Sequence, residues 1–374
     1  MITEETLREI SNSLDITETD FKTLETSYKA IGTYIGNNIG YDVNVFPQGS
    51  VNLGTVIKPI AEDGEYDIDL VLVVLKNDLE AGELKEKVGK VLKQSERYSK
   101  KISEGKRCWT IQYSEGLNYH VDILPVIESE NYKNSKVLKM TNKVNNFYEY
   151  LPTNPEKYAE WFWDKCKNER KKLEEEYSFK NKVDIKDVPE WARKTKLQRA
   201  VQLLKRYRDI CFLDNPEIKP ISIILTTLLA EMYTGDESLI ELITKFANDF
   251  MKYINKDEKQ NFVIANPVNP DENFADKWQI YPERQKAFFD FTVSLKENLI
   301  DSKILREGDR IEVAKEYSKI FGESVVKDAF KNIGIETRNL RENNQLYMSE
   351  NGNITNHKDN NDKIGKHTFY GMSN

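Results

Sequence analysis

The sequence predicts an α+β protein, a mixed sheet with flanking helices followed by a helical region, on three observations. A near-continuous apolar, β-branched run at 66–75 has the texture of a strand buried on both faces, and 119–126 reads as a further strand. Phe21, Leu24, Tyr28, Ile31 and Ile35 recur at helical spacing ahead of those strands. From Pro155 onward the pattern turns helical and stays so. These divide the chain into a core with N-terminal helices at 1–190, a helical domain at 191–334 and a polar tail at 335–374.

Residues 3–14 and a stretch after Thr17 read as two helices, each with Thr or Asp placed to cap its start. An extended segment at 43–46 leads to Gly49-Ser50 and then to 52–57, a turn feeding a short helix or strand. After the 66–75 strand, 79–101 is charged and helix-like, and 108–113 and 119–126 are two further strands joined by a turn-rich connection at 114–118. The charged segment 165–186 predicts a long exposed helix or a lid. Leu197, Val201, Leu204 and Arg208 mark an amphipathic helix over 193–212, and 221–233 is a second, mostly buried one. Helices follow at 235–255, 281–299 and 311–333, and the Asn-, Asp- and Lys-rich end is weakly structured.

Composition excludes several function classes. The 374 residues carry 55 Lys+Arg against 62 Asp+Glu, a net charge of −7, with 31% charged residues and a mean hydropathy of −0.66. The longest apolar runs, such as 70–75, fall far short of the roughly 20 residues of a membrane helix, so no membrane association is expected. The N-terminus lacks a basic-then-apolar export layout, and Cys108, Cys166 and Cys211 lie far apart, both fitting a cytoplasmic protein. With His120, His357 and His367 they offer no zinc ligand set. An acidic balance disfavours a duplex-DNA footprint but leaves room for a small anion met by a local cation cluster.

The chemistry is concentrated in three segments: QGSVNLGT at 48–55, YDIDL at 66–70 and HVDILP at 120–125. A Gly-Ser turn lets the main chain approach a phosphate closely. Asp67 and Asp69 alternate on one face of a strand, and Asp122 joins them if its strand lies alongside. Carboxylates so crowded repel one another unless cations neutralise them, and magnesium is the natural hard ion for carboxylate and phosphate oxygens. Three acids, two metals and a phosphate-gripping turn describe a phosphoryl- or nucleotidyl-transfer site.

On these segments, with LQRAVQLLKRYRD at 197–209, ISIILTTLLA at 221–230, NPVNPDENFADKW at 266–278 and HTFYG near the end, the chain resembles the nucleotidyltransferases of the polymerase-beta type. More narrowly it is similar to the bacterial cGAS/DncV-like nucleotidyltransferases, the CD-NTases. The resemblance implies a polymerase-beta-like core and a C-terminal helical domain enclosing a cleft. It assigns Gln48, Gly49 and Ser50 to the donor triphosphate, Asp67, Asp69 and Asp122 to two Mg²⁺ ions (Mn²⁺ being able to substitute), and Lys205 and Ser222 to the donor phosphates. Asp122 would also help deprotonate the attacking ribose hydroxyl. Read by itself, Lys205 lies just off the apolar stripe of its helix, where an ammonium could offset triphosphate charge but reads first as a solvated lysine. Arg107 fits either a nucleotide contact or an edge salt bridge, and Phe274, Trp278 and Tyr281 either border a base or pack helices.

Two departures narrow the expectation. Ile223 stands where animal cGAS has a base-stacking aromatic, and the zinc insertion and basic runs of that enzyme are absent. The resemblance therefore implies a monomeric enzyme that needs no nucleic-acid template or activator. It would join nucleoside triphosphates into a cyclic di- or trinucleotide in anti-phage (CBASS) signalling, the product being read by a separate effector. Linear transfer to RNA or protein, and a catalytically silent nucleotide-binding module, remain the alternatives.

Overall fold

The computed structural model describes residues 4–61, 64–76, 78–113, 118–349, 354–355, 358 and 361–365. The 114–117 connection, His357 and the 367–371 segment lie outside them. In chain order the main elements are α1 (Glu4–Ser13), α2 (Glu18–Asn38), β1 (Val43–Pro47), α3 (Gly49–Leu53), β2 (Tyr66–Val74), α4 (Ala81–Gln94), β3 (Ile102–Glu104), β4 (Trp109–Tyr113), β5 (Tyr119–Glu128), α5 (Tyr132–Ser135), β6 (Leu138–Val144) and β7 (Phe147–Thr153). Helices then dominate: α6 (Pro155–Asn181), α7 (Glu190–Arg193), α8 (Lys196–Cys211), α9 (Ser222–Met232), α10 (Leu239–Asp249), α11 (Pro282–Leu295), α12 (Lys303–Glu307), α13 (Arg310–Phe321) and α14 (Glu323–Glu342). The mixed α+β class read from the sequence is the one observed.

The chain forms two compact units, Leu14–Ser302 and Met1–Ser13 with Lys303–Asn374. The larger holds a seven-stranded sheet in the order β1-β2-β5-β4-β3, extended by β6 on the far end of β5 and β7 beside β6. Among the described residues only β2 and β5 pair in parallel. One face of β2, Ile68, Leu70, Leu72 and Val74, is buried with Ile31 and Ile35 of α2, Leu84 and Val88 of α4, and Val121 and Ile123 of β5. At about 1.5–3 kcal/mol per buried aliphatic side chain, this face anchors the sheet. The β6–β7 hairpin, for which the sequence offered no strand reading, buries Leu138 and Met140 against Val71, Val73 and Val126 on the other face.

In the smaller unit α14 packs on α1 and α13. The single helix expected at 311–333 is two, because Gly322 takes φ +92° and breaks the helical path between α13 and α14. Helix α14 then runs to Glu342, past the start of the expected polar tail. No helix among the described residues is long and apolar enough to cross a membrane.

Candidate functional site

Parallel pairing of β2 with β5 sets Asp67 beside His120 and Asp69 beside Asp122. Antiparallel β4 then sets Thr110 beside Asp122. Period-two alternation turns all five side chains to the same face, opposite the face that packs on α2 and α4. The same face of β2 changes character two residues on, at Val71 and Val73, which are buried beneath the β6–β7 hairpin. The polar patch is thus confined to the N-terminal end of β2, where β1, paired only with Leu70 to Val74, has left the sheet.

Where β1 ends, the chain folds over Asp69. The Gln48 N–H donates to the Asp69 carbonyl at 2.9 Å, and Gly49 takes φ +58°. A Cβ at Gly49 would stand 2.5 Å from Asp69 Oδ2, so glycine alone lets the backbone pass this close to the carboxylate. Ser50 and Thr55 are joined by a 2.9 Å bond from the Thr55 N–H to the Ser50 carbonyl, which closes the α3 turn.

Electrostatically the patch is overloaded with negative charge. Burial, then the charges of Asp67 and Asp122, push the Asp69 carboxyl up to about 8. Asp122 is also raised, by burial first and by Asp67, although Thr110 donates a hydrogen bond to its carboxylate. The wall of protein around Asp67 opposes its ionisation too, yet 60% of that side chain is open to solvent. A 3.0 Å hydrogen bond from His120 Nε2, with the charges of His120, Lys205 and Lys219, holds Asp67 below its ordinary value. His120 in turn is pushed up to about 9, first by that bond and, against burial, by the charges of Asp67, Asp122 and Glu65. One ligand atom each from Asp67, His120 and Asp122 lie within 4.8 Å of one another, a group able to hold a metal ion.

Helix α8 fixes the loop that follows α3. Every residue from Leu197 to Arg208 is buried. Its polar side is turned to backbone rather than to water: Gln198 Nε2 donates to Leu53 O at 2.9 Å, Gln202 Nε2 to Val56 O at 2.8 Å and Lys205 Nζ to Thr55 O at 3.0 Å. Arg206 reaches Lys58 O and Pro59 O at 2.6 and 3.1 Å, and Trp163 of α6 reaches Asn52 O at 3.1 Å. Lys205 is therefore not the solvated lysine its helix position allowed; it is 8% exposed. Burial, then the Arg208 charge, lower its ammonium to about 8, against the pull of Asp209, Asp67 and Asp69.

The sequence-read residues are thus gathered unequally. Gln48, Gly49, Asp67, Asp69 and Asp122 meet at one end of β2, Ser50 lies in the α3 turn beside them, and Lys205 is near enough for its charge to bear on two of the acids. Ser222, the first residue of α9, is bonded instead to Arg208, whose NH1 donates to its Oγ at 2.6 Å. Asp209 holds that Arg208 and also Lys219, at 2.6 and 3.2 Å. Arg107 makes the salt bridge, to Asp276 at 3.1 Å. Trp278 packs on Phe288 and Phe262, Phe274 stands edge-on to Tyr158, and Tyr281 lies under Arg284. His120, Arg208 and Lys219 carried no role in the sequence reading. For His120 the signal was available, since it stands two residues before Asp122 in the same strand and so shares its face.

Comparison with known proteins gives the family and the fold. Residues 1–166 match the family model of the Second Messenger Oligonucleotide or Dinucleotide Synthetase domain. A c-di-GMP synthase of Roseivirga ehrenbergii is 33% identical over 310 residues, 80% of this chain and 79% of that protein. The cyclic dinucleotide synthase CdnG of Bradyrhizobium diazoefficiens is 26% identical over 334 residues, 81% of this chain and 76% of its own. The solved structure of that CdnG with GTP shares the fold, with a TM-score of 0.69 at 22% identity over 88% of this chain and 99% of that one. CdnC of E. coli MS115-1 does so at a TM-score of 0.60 and 14% identity, over 87% and 99%.

Proposed function

The chain belongs to the bacterial CD-NTase family of nucleotidyltransferases, and from that premise we propose that it joins two nucleoside triphosphates into a cyclic dinucleotide. The observation that carries the reading is the register of β2 and β5, which stacks Asp67, Asp69 and Asp122 on one face with Gly49 closed over Asp69. A site that raises its own carboxyl to about 8 has more negative charge than it can hold ionised, and is built to be completed by cations. The donor set of carboxylate oxygens fits hard divalent ions. Asp67, Asp69 and Asp122 would hold two of them, Mg²⁺ or Mn²⁺, which when bound neutralise charge on the reacting phosphates.

The chain's own residues divide the remaining work. Gln48, Gly49 and Ser50 hold the donor triphosphate against the turn of α3, Lys205 meets its phosphates from α8, and Ser222 of α9 joins them once its hydroxyl leaves Arg208. A ribose hydroxyl oxygen of the acceptor forms a bond to the donor α-phosphorus as the α–β phosphoanhydride bond breaks. Pyrophosphate leaves with that electron pair, and the hydroxyl proton passes to the Asp122 carboxylate and on to solvent. Thr110 holds that carboxylate in place. A second transfer closes the ring and releases a second pyrophosphate.

GTP is the first substrate to try, because one relative is named a c-di-GMP synthase and CdnG binds GTP in its solved structure. We place the enzyme in the cytoplasm as a monomer that takes no nucleic-acid template or activator. Its product would be read by a separate effector in anti-phage (CBASS) signalling. The test incubates the purified chain with the four NTPs and Mg²⁺ or Mn²⁺, with and without RNA, and weighs the products. A cyclic dinucleotide mass that vanishes in folded Asp67→Ala is expected. Extension of RNA would transfer the site to linear addition, and no product under any condition would leave a silent nucleotide-binding module.

A further inference from the structure

We propose that His120 is a metal ligand, adding an imidazole nitrogen to Asp67 and Asp122, so that this cation site prefers a first-row transition ion to magnesium. The inference rests on the nucleotidyltransferase reading of the same cleft and goes beyond it, since the carboxylates alone imply an all-oxygen site. Three observations carry it.

First, the strand register leaves no choice of face: His120 stands beside Asp67 and two residues before Asp122, and the three ligand atoms fall within 4.8 Å of one another. Second, the imidazole is oriented. Its Nδ1 lies 3.5 Å from Glu65 Oε2 while Nε2 is aimed at Asp67 Oδ1, 3.0 Å away. A carboxylate on the distal side is the partner that, on closing to hydrogen-bond distance, fixes the tautomer and direction of metal-bound histidines. Third, Asp69 lies under the Gly49 turn and outside the compact group, so the cluster that a single ion can reach is one nitrogen and two carboxylates. Magnesium demands oxygen ligands in a strict octahedron, whereas Mn²⁺, Co²⁺ and Zn²⁺ accept mixed nitrogen and oxygen donors. On binding, the ion takes the place of the Nε2 proton, which leaves to solvent.

The test uses the full chain without nucleotide and reads binding, not turnover. Mn²⁺ is titrated calorimetrically and in competition with Mg²⁺, and the Mn²⁺ complex is examined by pulsed electron paramagnetic resonance for a coordinated nitrogen. The wild type should prefer Mn²⁺ and show the nitrogen coupling. Glu65→Gln should weaken Mn²⁺ by about tenfold to a hundredfold, and His120→Ala by at least as much, with the nitrogen signal gone and Mg²⁺ affinity little changed. His120→Gln, which returns an oxygen in a similar volume, should move the Mn²⁺-to-Mg²⁺ ratio toward one with the circular dichroism spectrum intact. The proposal is overturned if Mn²⁺ does not bind, binds without nitrogen coupling, or binds His120→Ala as tightly as wild type; the last two would leave His120 as a holder of Asp67 only. If Asp67→Ala also binds Mn²⁺ normally, the metal lies elsewhere; if the wild type binds Mn²⁺ with nitrogen coupling but makes no product from any NTP, the nucleotidyltransferase reading falls while the ligand assignment stands.

Discussion

The two faces of β2 obey opposite rules although one strand makes both. Toward α2 and α4, Ile68, Leu70, Leu72 and Val74 are wholly buried, and the one titratable side chain β2 adds to that face, Tyr66, is pushed up to about 12 by burial and stays neutral. Toward the cleft, Asp67 and Asp69 crowd His120 and Asp122; burial opposes the ionisation of all three acids, raising Asp69 and Asp122, while His120 holds Asp67 below its ordinary value. The first face stabilises the fold and is indifferent to pH; the second costs stability and is poised for cations. A strand buried on one side can carry such a load on the other because the apolar side holds it in register.

Removing the load is the most severe way to break the contrast. Asp69→Asn should lower turnover by about a thousandfold or more, the scale seen when a charge-stabilising group is lost from phosphoryl transfer, measured as cyclic product per minute. The same variant should make the metal-free protein more stable near pH 8. Asp69 and His120 both have folded values above their ordinary ones, so each contributes stability that is present at low pH and lost as pH rises, across 3.8 to about 8 for Asp69 and 6.5 to about 9 for His120. Denaturant midpoints in a chelator should therefore fall from pH 5 to 8 in the wild type and fall less in Asp69→Asn. Excess Mn²⁺ or Mg²⁺ should flatten or reverse the wild-type slope, because the ion binds the deprotonated acids. A wild-type slope unchanged by the substitution would mean that the acids are already relieved by something else.

On the apolar face the corresponding change is Leu72→Ala. A fully buried leucine between strand and helix should cost about 2–5 kcal/mol of stability, read from urea unfolding. The loss should be the same at pH 5 and pH 8, and the folded fraction should retain its turnover. A pH-dependent loss would show that the two faces are coupled through the strand.

How much of this was legible beforehand follows the same division. Period-two alternation placed Asp67 and Asp69 on one face, and the texture of 119–126 placed Asp122 in a strand, because both are local patterns, whereas that strand's place beside β2 comes only from the pairing. The same period places His120 on the face of Asp122, but its partner Asp67 lies far earlier in the chain and is adjacent only through pairing. Lys205 read as either solvated or functional because amphipathicity assumes a polar face meets water. In α8 that face meets the carbonyls of 53–59, a partner no sequence window contains. The β6–β7 hairpin is half-exposed and ordinary in composition, so it too becomes visible only by what it covers.

Lys205 sharpens the contrast from outside the strand. Lys205→Met keeps the volume and removes a buried charge already lowered to about 8, so stability should shift by no more than about 1 kcal/mol, the unpaired Thr55 carbonyl offsetting the relief. Turnover should fall by about tenfold to a hundredfold, since a charge-assisted contact of about 1.5–3 kcal/mol to phosphate would go with it. The split is diagnostic: equal losses in stability and activity would make Lys205 a strut for the 53–59 loop and not a phosphate contact.

The mildest test asks where the charged face ends. Arg107 precedes β4, three residues before the Thr110 that meets Asp122, and a guanidinium there has two possible uses. It is paired with Asp276 at 3.1 Å, and both side chains are partly open to water, at 34% and 44%. An exposed pair of this kind contributes about 0.2–1 kcal/mol and is screened by salt. Arg107→Gln should therefore lower stability by less than about 1 kcal/mol, an effect that fades in high salt, with KM for the triphosphates unchanged. A several-fold rise in KM at constant stability would extend the nucleotide site across β4, and Arg107 would then leave Asp276 when substrate binds.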